Sequence, residues 1–342
     1  MATLLAIESS CDETSVAMLD AETGTVLSCV VRNQLATHAR YGGVIPEVAA
    51  RDHLTTLPVL VDLAWQRSGR ERSDLVAIGV TQGPGLLGAL LVGVQYARSY
   101  GSVAQVPVYG INHLEGHILA AEIESNIAWP HLTVLASGGH TMILLVRGYG
   151  QYECLAQTVD DAIGEAYDKV ARLIGLHYPG GPHVMHAARR GDANRHPLPR
   201  PLLRSGDGRI SMSGLKTAII DAMRPLGEDG VAAEADHFAA AFETAVGDVL
   251  VAKSQWVYEQ AKHKGASPRA LVFTGGVAAN AYLRERLQTL AHQLGIAFVV
   301  PAFEYCTDNA AMIGRAALRR WQQASAPDVD LEPRSRWPLD SR

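Results

Sequence analysis

Cysteine is scarce in this chain. Cys11, Cys29, Cys154 and Cys306 are the four among 342 residues, and no two form a Cys-x-x-Cys pair. Their spacing excludes a disulfide framework and fits a reducing compartment. For Cys11 and Cys306 a buried structural role is expected rather than nucleophilic catalysis. Long hydrophobic runs are missing too. The longest, residues 86–94, is too short to span a bilayer. The start, Met1-Ala2-Thr3-Leu4-Leu5, has neither the basic nor the apolar segment of a secretory signal, so a cytoplasmic protein with no membrane association is expected. Excess positive charge is absent: the net charge is -5, so binding to nucleic acid would need a local basic patch or a partner. No glycine-rich turn is followed by Gly-Lys-Ser/Thr, which excludes a P-loop.

What remains is ordinary soluble composition, 48% hydrophobic and 19% charged. A chain of 342 residues is long enough for two cores. Hydrophobic patterning predicts strands at 4–8, 15–19 and 25–31, a helix at 46–67, a strand at 75–81, a helix at 87–103 and a strand at 106–111. A similar order follows: strands at 132–136, 141–146 and 152–156, and a helix at 163–174. After an irregular stretch come a helix at 232–262, a strand at 270–274, a helix at 278–294, a strand at 296–300 and a helix at 308–323. The repeat is one of element order, with no repeat of residues. Three strands joined by tight turns cannot all be parallel, whereas the later strands have crossover helices. That predicts an α/β fold in which a mixed sheet with helices on both faces is built twice. The plan resembles the actin, sugar-kinase and Hsp70 superfamily, with two RNase H-like lobes and a central nucleotide cleft. A first lobe is expected over 1–110 and a second over 111–324 with a basic insertion at 189–216. The tail, 325–342, is expected to pack back on the first lobe.

Several constellations could carry chemistry. In Asn112-His113-Leu114-Glu115-Gly116-His117 two imidazoles stand four residues apart, on one face if the run is helical. Such a pair can grip a transition metal, although the spacing also arises by chance. A hard third ligand is available in Cys306-Thr307-Asp308-Asn309. There Thr307 or Asp308 would cap the last helix; as a ligand, Asp308 would complete a two-His, one-carboxylate set with positions left open. Asp12 and Glu13 share a hairpin turn, as solvated surface or as groups for proton transfer. Ser137-Gly138-Gly139-His140-Thr141 is a plain hairpin or a nest of amides for an anion. Gly83-Pro84-Gly85, Pro179-Gly180-Gly181-Pro182 and Gly275-Gly276 repeat the device, and Asn280 after the last of these could meet a ribose or base edge. Asp160, Asp161, Glu165 and Asp168 crowd the start of one helix. The first three suit its dipole, while Asp168 is far enough in to accept from ligand hydroxyls. From 189 to 209, six arginines face two aspartates, a local excess of four with Lys216 close behind. This is a solvated insertion or a surface for a polyanion such as RNA.

Taken together these residues resemble the tRNA N6-adenosine threonylcarbamoyltransferase family, called TsaD in bacteria and once regarded as glycoproteases. The resemblance runs from Ile7-Glu8-Ser9-Ser10-Cys11-Asp12-Glu13-Thr14, through Tyr41-Gly42-Gly43-Val44-Ile45-Pro46-Glu47, the histidine run, Ser213-Gly214-Leu215-Lys216-Thr217 and the glycine turns, to Arg336-Trp337-Pro338-Leu339. Departures are Ser9 for threonine, Tyr167 for phenylalanine and Met212 before Ser213, none of them expected to touch a ligand position. The resemblance implies transfer of threonylcarbamoyl from threonylcarbamoyl-AMP to the 6-amino group of adenosine 37 in tRNAs reading codons that begin with A. It implies one divalent ion per chain, Fe(II) ahead of Zn(II), on His113, His117 and Asp308. It implies that Leu135, Ala136, Ser137, Gly138, Gly139, Asp168, Gly181 and Asn280 bind the adenylate. In such a reaction the carboxylates of Asp12 or Glu13 would position the threonyl group or take the amine proton, a reading of these residues rather than of the resemblance. The implied partners are tRNA, a paralogue lacking the metal site (TsaB-like) and a small P-loop ATPase (TsaE-like). Rival readings are a metal-dependent glycoprotease and an actin-like kinase, ATPase or scaffold. The protease is disfavoured because Glu115, two residues after His113, lies about 200° around a helix from it.

Overall fold

The computed structural model describes residues 1–41, 43–328 and 330–339, Glu228 by its backbone alone. Gly42 of the Tyr41-to-Glu47 run, and Val329 and 340–342 of the tail, lie outside the described residues. The chain divides into two compact units, 1–126 with 301–342, and 127–300.

In the first unit, strands β1 (Thr3–Glu8), β2 (Glu13–Asp20) and β3 (Val26–Asn33) form an antiparallel meander. A short helix α1 (Leu35–Ala39) and the long α2 (Pro46–Ser68) follow. Pro46 opens α2, where its missing N–H costs nothing, and Gly69 ends it in a left-handed conformation. Then come β4 (Leu75–Gly83), α3 (Leu87–Ala104), β5 (Val108–Asn112) and α4 (His113–Leu119). The sheet order is β3-β2-β1-β4-β5, with β4 and β5 parallel to β1. All six residues of the central β1 are buried, as expected for a strand covered on both faces. Alternation sorts them: Leu5 and Ile7 pack with Leu57, Leu60, Val61 and Val94 of α2 and α3, while Ala6 turns to the opposite face.

The second unit repeats this plan with β6 (His131–Ala136), β7 (Thr141–Gly148), β8 (Gln151–Thr158), α5 (Ile163–Leu173), α6 (Gly180–Ala188), β9 (Arg209–Ile210), α7 (Ser213–Met223), α8 (Gly227–His263), β10 (Ala270–Thr274), α9 (Ala281–Leu294) and β11 (Ala297–Val299). Its order, β11-β10-β6-β7-β8-β9, is that of the first sheet with β9 added at the edge. The predicted irregular stretch therefore holds two helices. Its glycines and prolines read as breakers, but the α6 start is capped from outside by Asp168, and Leu215 and Ile219 bury one face of α7.

The chain then returns to the first unit with α10 (Phe303–Cys306) and α11 (Ala310–Gln322). This differs from the expected boundary after residue 110, because α4 and α11 cover the first sheet. Contact is close: a side chain on Gly314 would meet Leu19 and Ala6, and one on Gly79 would meet Ala317. The tail runs along β4 and β5. Gly110 N donates to Asp328 Oδ2 (2.8 Å), Arg334 N to Gln82 O (2.8 Å) and Asn112 Nδ2 to Trp337 O (3.0 Å). Among the described residues no helix is long and apolar enough to cross a membrane.

The α11 contact yields a stability prediction. Gly79→Ala should destabilise the protein by about 1–3 kcal/mol through overpacking, read from the denaturant midpoint. An unchanged midpoint would mean that α11 can back away from the sheet at little cost.

Candidate metal centre

Helix α4 starts where β5 ends. The Asn112 side chain caps it, accepting from Leu114 N (2.9 Å), which fixes the helix frame one residue before His113. The four-residue spacing then stacks the rings of His113 and His117, 4.7 Å apart and edge to face, both buried. Asp308 approaches from the junction of α10 and α11. The expected cap at Thr307 or Asp308 is corrected: Asn309, on extended backbone, caps α11 by accepting from Met312 N (3.0 Å). That leaves the Asp308 carboxylate to point at the histidines, with Oδ1 3.1 Å from His117 Nε2 and 3.6 Å from His113 Nε2. One ligand atom from each of the three lies within 4.8 Å of the others.

Behind this set stands a residue that sequence reasoning missed. Glu8, fully buried at the end of β1, accepts from His113 Nδ1 (3.0 Å), Thr81 Oγ1 and Ser10 N. With its Nδ1 proton held by Glu8, His113 is left with Nε2 as the nitrogen that would bind an ion on the side of Asp308, the arrangement carboxylates impose on metal-binding histidines. The available signal was a charged residue closing an otherwise apolar strand.

The centre is crowded with negative charge. Burial opposes a charged His113, yet Asp308 and Glu8 push it up to about 9. Burial, then Asp308 and Asp12, push the Glu13 carboxyl well above its ordinary range. Burial and Asp12 likewise push the Cys11 thiol up, which fits a structural rather than a nucleophilic role. Two imidazoles, one carboxylate and a surplus of buried anions fit a divalent cation.

The Asp12–Glu13 turn is held by His53 of α2. Its Nε2 must donate to Cys11 O (3.0 Å), since a carbonyl can only accept, so its Nδ1 accepts from Thr14 Oγ1 (2.7 Å). Asp12 and Glu13 are half-buried and hydrogen-bonded to each other.

In the second unit, Leu135 and Ala136 end β6, and Ser137 N bonds back to His140 O (2.8 Å) to close the turn. A side chain on Gly275 would strike Ala136 O, and one on Gly164 would sit 2.9 Å from Gly138 N. Gly275 thus lets the turn after β10 press against Ala136, and Gly164 lets the first turn of α5 press against Ser137 and Gly138. By contrast, Gly138, Gly139, Gly181 and Gly276 face open space on the side a side chain would occupy. Backbone amides can approach an anion closely there. Asp168 Oδ1 accepts from Gly180 N (2.6 Å), setting Gly181 in the first turn of α6, and burial pushes the Asp168 carboxyl up. The Asn280 side chain is used within the fold: Oδ1 accepts from Leu283 N (3.1 Å), and Nδ2 donates to Glu243 Oε1 (2.7 Å) and Tyr167 OH (3.2 Å). The departure at Tyr167 therefore does touch a predicted ligand residue.

Other candidates have structural partners. Asp160 accepts from Ser211, Met212 and Ser213, and Lys169 pairs with Asp161 (2.6 Å) and Glu165 (2.8 Å). In the basic segment Arg190 pairs with Asp236, Arg195 with Glu234, Arg200 with Asp248 and Arg209 with Asp207.

A family model for tRNA N6-adenosine threonylcarbamoyltransferase matches residues 25–315. A Bartonella henselae protein of that name is 47% identical, the match covering 99% of this chain and 96% of that protein. One from Agrobacterium fabrum is 45% identical, covering 98% and 94%. Among solved structures, full-length HypF in its phosphate- and nucleotide-bound form aligns with a TM-score of 0.62 at 14% identity, over 95% of this chain and 47% of HypF. T.kodakarensis HypF aligns with a TM-score of 0.63 at 15% identity, over 94% and 48%. These two likenesses show the actin-like fold alone.

The geometry predicts that Asp308→Ala and His117→Ala lower the affinity for added Fe(II) or Zn(II) by at least about tenfold, measured by chelator competition. Retained affinity in both variants would remove Asp308 and His117 from the metal site.

Proposed function

The chain belongs to the tRNA N6-adenosine threonylcarbamoyltransferase family, a transferase that modifies tRNA, and we propose that its donor is threonylcarbamoyl-AMP and its acceptor adenosine 37 of tRNAs reading codons that begin with A. The observation that carries this reading is the cluster of buried His113 and His117 with half-buried Asp308, and Glu8 behind it. The cluster holds one divalent ion, Fe(II) in preference to Zn(II), since two histidines and one carboxylate leave positions open for oxygen ligands.

The acceptor amine is a weak nucleophile, because its lone pair is delocalised into the adenine ring. The electrophile must therefore be sharpened. When bound, the divalent ion supplies Lewis-acid chemistry, polarising a carbonyl or neutralising a phosphate. Glu8 keeps His113 in the tautomer that the ligand set requires. The amides at Ser137, Gly138 and Gly139 hold the phosphate of the adenylate and stabilise charge developing on it. Leu135 and Ala136 carry that turn, Asp168 and Gly181 hold the nucleoside, and Asn280 supports the same pocket through Tyr167 and Glu243. A bond forms from the 6-amino nitrogen to the carbamoyl carbon as the bond from that carbon to the phosphate oxygen breaks. AMP leaves, and the amine proton passes to Asp12 or Glu13. The working assembly includes a paralogue lacking the metal site and a small P-loop ATPase, in the cytoplasm.

The test is mass spectrometry of nucleosides after tRNA is incubated with threonylcarbamoyl-AMP and this chain, with and without those partners. Threonylcarbamoyladenosine should appear; none in any mixture would sink the reading. Replacing Asp12 by Asn together with Glu13 by Gln should slow transfer by about 10²- to 10⁴-fold. Wild-type rates in that double variant would strip both carboxylates of their role.

A further inference from the structure

An acidic protein that handles RNA needs arginines its own carboxylates have not claimed. Four of the six between 189 and 209 are claimed by ion pairs. The tail is different. Its backbone is anchored by Gln82 Nε2 on Glu332 O (2.9 Å), Arg334 N on Gln82 O (2.8 Å) and Asn112 Nδ2 on Trp337 O (3.0 Å). Arg334 and Arg336 are exposed, and among the described residues neither forms an ion pair. The Arg334 guanidinium lies 4.8 Å over the Trp337 ring, which orders the side chain while leaving its N–H edge able to donate.

The strip also sits beside the metal centre. Asn112, which holds Trp337 O, is the cap of α4 and the residue before His113. Gly85, whose N–H reaches Ser335 O (3.4 Å), packs against Ser10, and the Ser10 hydroxyl is 3.3 Å from His113 Nδ1. Asp330 and Glu332 lie upstream on the tail and do not interrupt 334–337.

We propose that Arg334 and Arg336, set on the Trp337 anchor, form a phosphate-contacting strip for the RNA strand that carries the target adenosine. The proposal rests on the tRNA reading above and names the surface that serves it. The probe is an unmodified tRNA transcript reading a codon that begins with A, with its affinity measured over a salt series. Arg334→Gln with Arg336→Gln should raise the KM for tRNA, and should make the slope of log affinity against log salt shallower by about 1–2, the loss of two phosphate contacts. Metal content should stay at the wild-type level, because the backbone anchors remain. Arg190→Gln with Arg195→Gln, which removes equal charge from paired positions, should leave the slope unchanged. An unchanged slope in the tail variant, or an equal loss in the control pair, overturns the strip. Failure of the wild-type protein to make threonylcarbamoyladenosine would instead fell the reading on which it rests.

Discussion

A carboxylate with no water around it governs the first unit. Glu8 is the last residue of β1, the strand on which the first sheet is assembled, and it is wholly buried. A buried carboxylate costs several kcal/mol unless every oxygen is served. Here Ser10 N, Thr81 Oγ1 and His113 Nδ1 serve it, each hydrogen bond to a charged group contributing about 1.5–3 kcal/mol. The three donors come from the turn after β1, from β4 and from α4. Satisfying one group thus sets the polar turn, the neighbouring strand and the metal-site helix together. Burial alone would raise the Glu8 carboxyl; His113 and Ser10 together lower it below its ordinary value.

How much of this the sequence could show depends on the range of each interaction. The histidine pair was legible because i,i+4 spacing and the Asn112 cap are local. So were the two sheets, whose strands announce themselves by apolar runs and whose handling of direction follows from connection length. The Glu8 partnership was not legible, since Thr81 and His113 lie 73 and 105 residues away. The helix at Gly180 was hidden for a similar reason: its cap comes from Asp168, and no local residue replaces it. Asp308 shows the intermediate case. Its type and position near a helix end marked it as a ligand, but the choice of cap between neighbouring polar residues is made by backbone geometry, and Asn309 takes it.

Charge counting misled in an instructive way. The arginines after residue 189 look like a basic surface when their own segment is counted. The compensating carboxylates, Glu234, Asp236 and Asp248, are on α8, outside that window. Ion pairs of this partly exposed kind contribute little stability each, but they pin an otherwise irregular segment to a long helix. Buried Lys253 of the same helix adds Ser205 Oγ (3.0 Å) and Asp207 O (2.8 Å) to the clamp.

The same accounting by partner separates a transferase from a protease. Two histidines one helical turn apart are common to both chemistries; the outcome turns on which carboxylates join them. A zinc protease of the His-Glu-x-x-His type needs a glutamate on the histidine face, poised over a metal-bound water. In α4 the glutamate, Glu115, stands two residues after His113, on the far side of the helix, and is buried there at 1% exposure. The carboxylates that do reach the histidines are Asp308, suited to bind the ion, and Glu8, which fixes a ring. Asp308 is placed where it could hold an ion, and Glu8 is engaged by His113, Thr81 and Ser10. What remains is a ligand set that could hold an ion, without the zincin glutamate beside it; the other acidic groups near Asp308 are Asp12 and Glu13, at the turn after β1. That suits a group transfer whose nucleophile arrives with the acceptor.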